Sequence, residues 1–163
     1  MRYHNITKVD MLNGNGIRVV LWVAGCEHGC PECQNSITWD PNGGLEFDDK
    51  AKEELFDALD KDYIDGITFS GGDPLHPENR EDVIQLIKEI RIRYKDTKTI
   101  WLYTGYQYEE IAHLVKCCDV VVDGHFIKDL ADKQYHWAGS TNQRVIDIFK
   151  TIQKGEVIIY ADN

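Results

Sequence analysis

The 163-residue chain is expected to fold as one α/β domain spanning 1–163, with mostly parallel strands and helices on the outside. Short apolar runs alternate with segments of helical period and are joined by short connections, the rhythm of βα units wound onto a parallel sheet. The run 17–24 is apolar apart from Arg18, as expected of a strand covered on both faces. Four successive strand ends, after Ala24, Phe69, Tyr103 and Val122, carry glycine with polar residues or cysteine. In a parallel sheet these ends share one rim, where α/β folds usually place their chemistry.

The chain opens on two expected strands within 6–23, joined by Asn13-Gly14-Asn15-Gly16. Asn-Gly pairs supply the positive φ of tight hairpins. Gly14-x-Gly16 is no dinucleotide loop, because Val19 stands where a third glycine is required. Pro41-Asn42-Gly43-Gly44 is a turn, and Asp48 or Asp49 caps a helix to Leu59 with Leu55, Phe56 and Leu59 on its buried stripe. A strand over 64–69 runs into Ser70-Gly71-Gly72-Asp73-Pro74, where paired glycines let a ligand approach the backbone closely. Residues 77–94 are predicted helical, with Val83, Ile84, Leu86, Ile87 and Ile90 on one face. A strand over 99–103, a helix over 107–115 and a strand over 120–122 follow. The tail from Gln143 to Tyr160 reads as two short strands about a turn at Lys154-Gly155. Trp22, Trp39, Trp101 and Trp137 are expected as core or interface anchors.

Composition narrows the function. Hydrophobic residues at 42% and charged residues at 28% describe a soluble globular protein. The net charge of −10 argues against nucleic acid and anionic membranes as partners. The N-terminus lacks a signal peptide's apolar stretch, and no run reaches transmembrane length. Five cysteines, three of them clustered, fit a secreted disulfide framework poorly and a reducing cytoplasm well.

Those three, Cys26, Cys30 and Cys33, stand at C-x3-C-x2-C spacing directly after the second expected strand. Clustered thiolates select zinc, copper(I) or an iron–sulfur cluster. Cubane clusters as a rule take four cysteines, and structural zinc takes four protein ligands. Three thiolates therefore leave two arrangements open. One is a cluster with an iron free to hold a substrate or cofactor. The other is a zinc site completed by His28, Cys117 or Cys118, although His28 reads more simply as a loop histidine and the Cys117-Cys118 pair as containing a core residue.

Taken together, Cys26, Cys30 and Cys33 and the Ser70–Pro74 turn resemble the radical S-adenosylmethionine (SAM) superfamily, whose cluster motif has this spacing and whose glycine-rich motif holds the methionine amino group. Within it, SGGDPLHPEN (70–79), W-x-Y-T-G (101–105), V-D-G-x-F (122–126) and W-x-G-S-x-N-Q (137–143) are similar to segments of the activases of anaerobic (class III) ribonucleoside-triphosphate reductase. The resemblance implies an open, partial (β/α) barrel of the radical SAM type, closed on its exposed side by the reductase. It also implies a [4Fe–4S] cluster on Cys26, Cys30 and Cys33 whose fourth iron chelates SAM. One electron cleaves SAM to methionine and a 5′-deoxyadenosyl radical, which takes hydrogen from a glycine of the reductase large subunit. No catalytic side chain is required; a low-potential donor such as flavodoxin or ferredoxin supplies the electron. SAM contacts are expected from Ser70, Gly71, Gly72 and Asp73, with Asp73 and the two glycines on its ammonium, and from Thr104, Gly105 and Asp123 at later strand ends.

The chain departs from the superfamily pattern in places. Glu32 and Gln34 flank the third cysteine where apolar or aromatic residues are common, which leaves a backbone contact from Gln34, and His125 stands where related activases often carry lysine. Other functions remain open at this point: activation of a formate-lyase-type glycyl radical enzyme, radical SAM chemistry on a small molecule, and a non-catalytic zinc-binding module.

Overall fold

The computed structural model describes residues 1–26, 28 and 40–161. In chain order the elements are β1 Arg2–Asp10, β2 Arg18–Val23, β3 Leu45–Glu46, α1 Asp49–Leu59, β4 Gly66–Gly71 and α2 Arg80–Tyr94, followed by β5 Thr99–Tyr103, α3 Tyr108–Ile111, β6 Val120–Asp123, β7 Arg144–Asp147 and α4 Ile148–Lys154. The strands form one sheet in the order β3-β1-β2-β4-β5-β6-β7. Its centre, β2-β4-β5-β6, is parallel. The β1–β2 hairpin with β3 on one side, and β7 on the other, pair antiparallel. The expected parallel βα units are therefore present, inside a sheet that is mixed at both edges.

Register divides the side chains into two faces. Leu21, Phe69, Leu102, Val121 and Ile146 lie opposite one another in a row across five strands, and Val19, Ile67 and Ile100 form the next. These residues pack with Leu55, Phe56 and Leu59 of α1 and Val83, Leu86, Ile87 and Ile90 of α2 in the main core. Each such side chain, once fully buried, contributes roughly 1.5–3 kcal/mol. The other face carries Trp101, Val120, Val122 and Val145, covered among the described residues by Trp137, Ala138 and Tyr160 and by no α-helix. Helices on one face and loops on the other leave room for a cavity above the rim.

Local chemistry explains most boundaries. Asp48 caps α1 by accepting from the Ala51 amide at 2.8 Å. The strand expected over 64–69 lies two residues further on, because β2 pairs with β4 through Ser70 and Gly71. The helix expected from Pro77 begins at Arg80, since 74–79 form turns in which His76 and Asn79 amides donate to the Asp73 and His76 carbonyls. The helix expected over 107–115 is a single turn, α3, closed by a reciprocal capping box between Gln107 and Glu110.

The tail corrects the expectation of two strands. After β7, Asp147 caps α4, Ile148 and Thr151 turn into the core at helical spacing, and Gly155 ends the helix at φ 73°. What remains of the second strand is one bridge, Ile146 to Ile159. Among the described residues no helix is long and apolar enough to cross a membrane.

Arg18, the one charge in β2, is wholly buried on the helix-free face. It donates to Thr68 Oγ1 (2.9 Å), Thr99 Oγ1 (2.7 Å) and the carbonyls of Asn15, Ile67 and Thr99 (2.9, 2.7 and 2.8 Å), and its guanidinium faces Trp101. Burial pushes its pKa down to about 10. The side chain joins the hairpin turn to the bottoms of β4 and β5. Replacing it with Met leaves buried acceptors unpaired, and the account predicts a stability loss of about 3 kcal/mol by urea titration of the apo-protein at pH 7. A loss below about 0.5 kcal/mol, the range of inconsequential surface changes, would contradict this role.

Candidate active site

The carboxyl ends of β2, β4 and β5 meet at one carboxylate. Asp73 follows β4 and is 2% exposed. Its Oδ1 accepts from the Leu75 amide, and its Oδ2 from the Gly105 amide, both at 2.9 Å. Thr104 Oγ1 lies 2.9 Å from both oxygens. The fourth donor comes from the cysteine loop, where His28 Nε2 approaches Oδ2 at 2.5 Å. Donors to an ionised acceptor make roughly twice the bond that neutral pairs do, so this junction outweighs any one backbone contact around it.

The turn before Asp73 grips the root of the same loop. The Gly72 amide donates to the Val23 carbonyl (2.8 Å), the Asp73 amide to Gly25 (2.6 Å) and Asn79 Nδ2 to Ala24 (2.5 Å). Gly71 is obligatory here. It sits at φ 109°, and a Cβ would overlap the Val23 carbonyl and lie 2.5 Å from the Val23 nitrogen.

Above this junction lies a cavity of about 620 Å³. Cys26, Ser70, Gly71, Gly72, Asp73, Thr104 and Gly105 all line it, so most of the residues predicted at this rim converge on one space. Its far wall is built from the hairpin tip at Met11–Asn13 and from 131–139, with Tyr103, whose phenol burial pushes up, on the floor. Cys30, Cys33, Gln34 and Trp39 lie outside the described residues.

Other predicted residues sit elsewhere. Asp123 is fully buried and does not line the cavity. Its carboxylate accepts from the Tyr108 amide (2.8 Å) and from Arg144 Nε and Nη2 (3.1 and 2.5 Å), joining β6, α3 and β7. Asp123 and Glu109 hold the Arg144 guanidinium in its charged form. Cys118 is in the main core, where burial pushes its thiol far above the usual range. It stands just before β6, whereas Cys26 stands just after β2, and β2 and β6 run parallel within the sheet. The two thiols are therefore separated by at least a strand's length, ~13 Å at 3.3 Å per residue. Two thiolates on one zinc lie within about 4 Å of each other, so neither Cys117 nor Cys118 completes a site with Cys26.

Sequence reading missed Asn79, His28 and the wall at 131–139. The polar residues of the W-x-G-S-x-N-Q segment build that wall from within: Gln143 Oε1 accepts from the Gly139 and Ser140 amides, its Nε2 donates to the Gly124 carbonyl, and Asn142 donates to that of His125. Their lack of any helical or strand period was the available signal.

The donor set suits an iron–sulfur centre. A half-buried thiol of a three-cysteine motif faces a cavity that the Ser70–Asp73 turn and Thr104–Gly105 also line.

Comparison with known proteins points the same way. Residues 12–146 match the 4Fe-4S single cluster domain family. The chain is 44% identical to the anaerobic ribonucleoside-triphosphate reductase-activating protein of Enterobacteria phage T4, over 89% of this chain and 93% of that protein. It is 41% identical to the protein of that name from Escherichia coli K12, over 89% and 97%. With that of Vibrio cholerae the identity is 38%, over 88% and 96%.

Asp73→Asn keeps the size of the side chain but turns an amide NH2 toward donors. The expected outcome is a loss of about 2 kcal/mol in the apo-protein by urea titration. Wild-type stability in this variant would show that the junction does not hold the rim together.

Proposed function

We propose, from the premise that the chain belongs to the 4Fe-4S single cluster domain family and to the anaerobic ribonucleoside-triphosphate reductase-activating proteins, that it generates the glycyl radical of that reductase by reductive cleavage of SAM. The observation that carries this reading is the convergence of Cys26, the Ser70–Asp73 turn and Thr104–Gly105 on a single cavity on the helix-free face. Cys26, Cys30 and Cys33 would hold a [4Fe–4S] cluster beside the Ser70–Asp73 turn. When bound and reduced, the cluster would supply the one electron for cleavage of SAM, the chemistry from which the glycyl radical of the reductase derives.

The chain's own residues bind, orient and exclude water, as expected where a cofactor carries the chemistry. The backbone of Ser70, Gly71 and Gly72 meets the methionine ammonium, and the Asp73 carboxylate supplies negative charge directly behind that turn. Thr104 and Gly105 border the same ligand, and Asp123 acts at one remove by holding β6 to β7. The parallel strands form the inner wall of an open, partial barrel, and the reductase covers the side that no helix covers. A flavodoxin or ferredoxin delivers the electron, and the protein works in the cytoplasm.

Two other functions fit less well. A formate-lyase-type activase is disfavoured by relatives named for the reductase that match along nearly all of the chain. A zinc module is disfavoured by the placement of Cys117 and Cys118 at the other end of the sheet from Cys26.

Anaerobic reconstitution is expected to give a brown protein with about four irons per chain, in keeping with a single cubane. With SAM, reductant and the reductase it yields a glycyl EPR doublet, whereas Cys26→Ala releases no 5′-deoxyadenosine. Wild-type turnover by that variant, or stoichiometric zinc in the native protein, would overturn the proposal.

A further inference from the structure

Within the three-cysteine motif His28 is the one described side chain between Cys26 and Cys30, and its surroundings are unusually specific for a loop residue. Its side chain is 9% exposed. Nε2 is hydrogen-bonded to Asp73 Oδ2, the same oxygen that accepts from the Gly105 amide. The ring packs edge-on against Tyr106, with centroids 4.6 Å apart, and at a tilt against His125 at the same separation. Arg80 in turn lies over Tyr106. Beneath the ring is Gly105, where a Cβ would overlap His28 Cδ2 and lie 2.7 Å from Cγ. The glycine after β5 has no positive φ to explain it. The imidazole explains it.

We propose that His28 is a positioning residue that registers the cysteine loop against the SAM-binding rim. The chain of contacts runs from the loop through His28 to Asp73, and from Asp73 to Thr104, Gly105 and Leu75. Without this tie, the backbone bonds at Gly25 and Ala24 hold the root of the loop but nothing comparable holds its register against β5 among the described residues. His28 is assigned a positioning role and not a ligand role; its Nε2 is held by the carboxylate, and the iron content of His28→Ala separates this role from ligation through Nδ1. Loss of the imidazole removes the hydrogen bond that ties position 28 to the ligand-binding turn.

Two arms test this, the second resting on the proposed function and the first independent of it. In the apo-protein, Gly105→Ala is expected to lower the urea midpoint in the wild-type background, because the new methyl displaces the ring, and to have no measurable effect in a His28→Ala background. Equal losses in both backgrounds would refute the contact. In the reconstituted protein, His28→Ala is expected to retain wild-type iron while its KM for SAM rises about tenfold, the scale for residues that orient a metal site from behind, with His28→Gln recovering to within about twofold. An unchanged KM, or iron loss matching that of Cys30→Ala, would overturn the assignment. Should the wild type neither load iron nor cleave SAM, the proposed function fails while the apo-protein cycle still decides the role of His28.

Discussion

A buried carboxylate with four donors around it is the constraint on which the rest of the site depends. Asp73 is deeply buried, and its hydrogen-bond partners come from the glycine turn, the end of β5 and the cysteine loop. Its desolvation is offset only while all of these are in place, so the three segments are held as a unit rather than as independent loops. Loops on a sheet rim are ordinarily the mobile part of an α/β fold. Here a buried carboxylate ties two strand ends to the start of the cysteine loop beside the cavity.

The sheet divides labour between its faces. The face toward α1 and α2 is a continuous apolar layer that makes the stability, and the opposite face gives up helical cover in exchange for a cavity. Arg18 and Trp101 stiffen the floor of that opposite face, while Asp123 and Arg144 lock β7 and α3 at its far side. Arg18, Asp123 and Arg144 are charged groups whose role is architectural. A strand-end aspartate in a glycine-rich context is a reasonable ligand candidate, yet Asp123 shows that pairing across the sheet can satisfy the same residue type completely.

Much of this was legible in the sequence, for physical reasons that can be traced. β2, β4, β5 and β6 announced themselves as apolar runs because both faces are covered, and α1 and α2 because one face is. The convergence of Cys26, Ser70, Gly71, Gly72, Asp73, Thr104 and Gly105 followed from parallel topology alone, since parallel strands gather their carboxyl ends. The tail was misread because Val145, Ile146 and Ile148 look alike whether they continue a strand or turn into a helix; Asp147 as an N-cap was the distinguishing sign. His28 and Asn79 were not legible, because each acts through a partner 45 or 55 residues away and neither spacing follows any local period.

If three thiolates hold a cubane beside the Ser70–Asp73 turn, one iron of it is left for a small-molecule ligand. Mössbauer spectroscopy of the 57Fe-reconstituted protein with and without SAM reads this directly. One iron site of the cluster is expected to change its isomer shift and quadrupole splitting when SAM is added while the other sites keep theirs. A spectrum that SAM leaves untouched at every iron, at concentrations where SAM is shown to be bound, would contradict it.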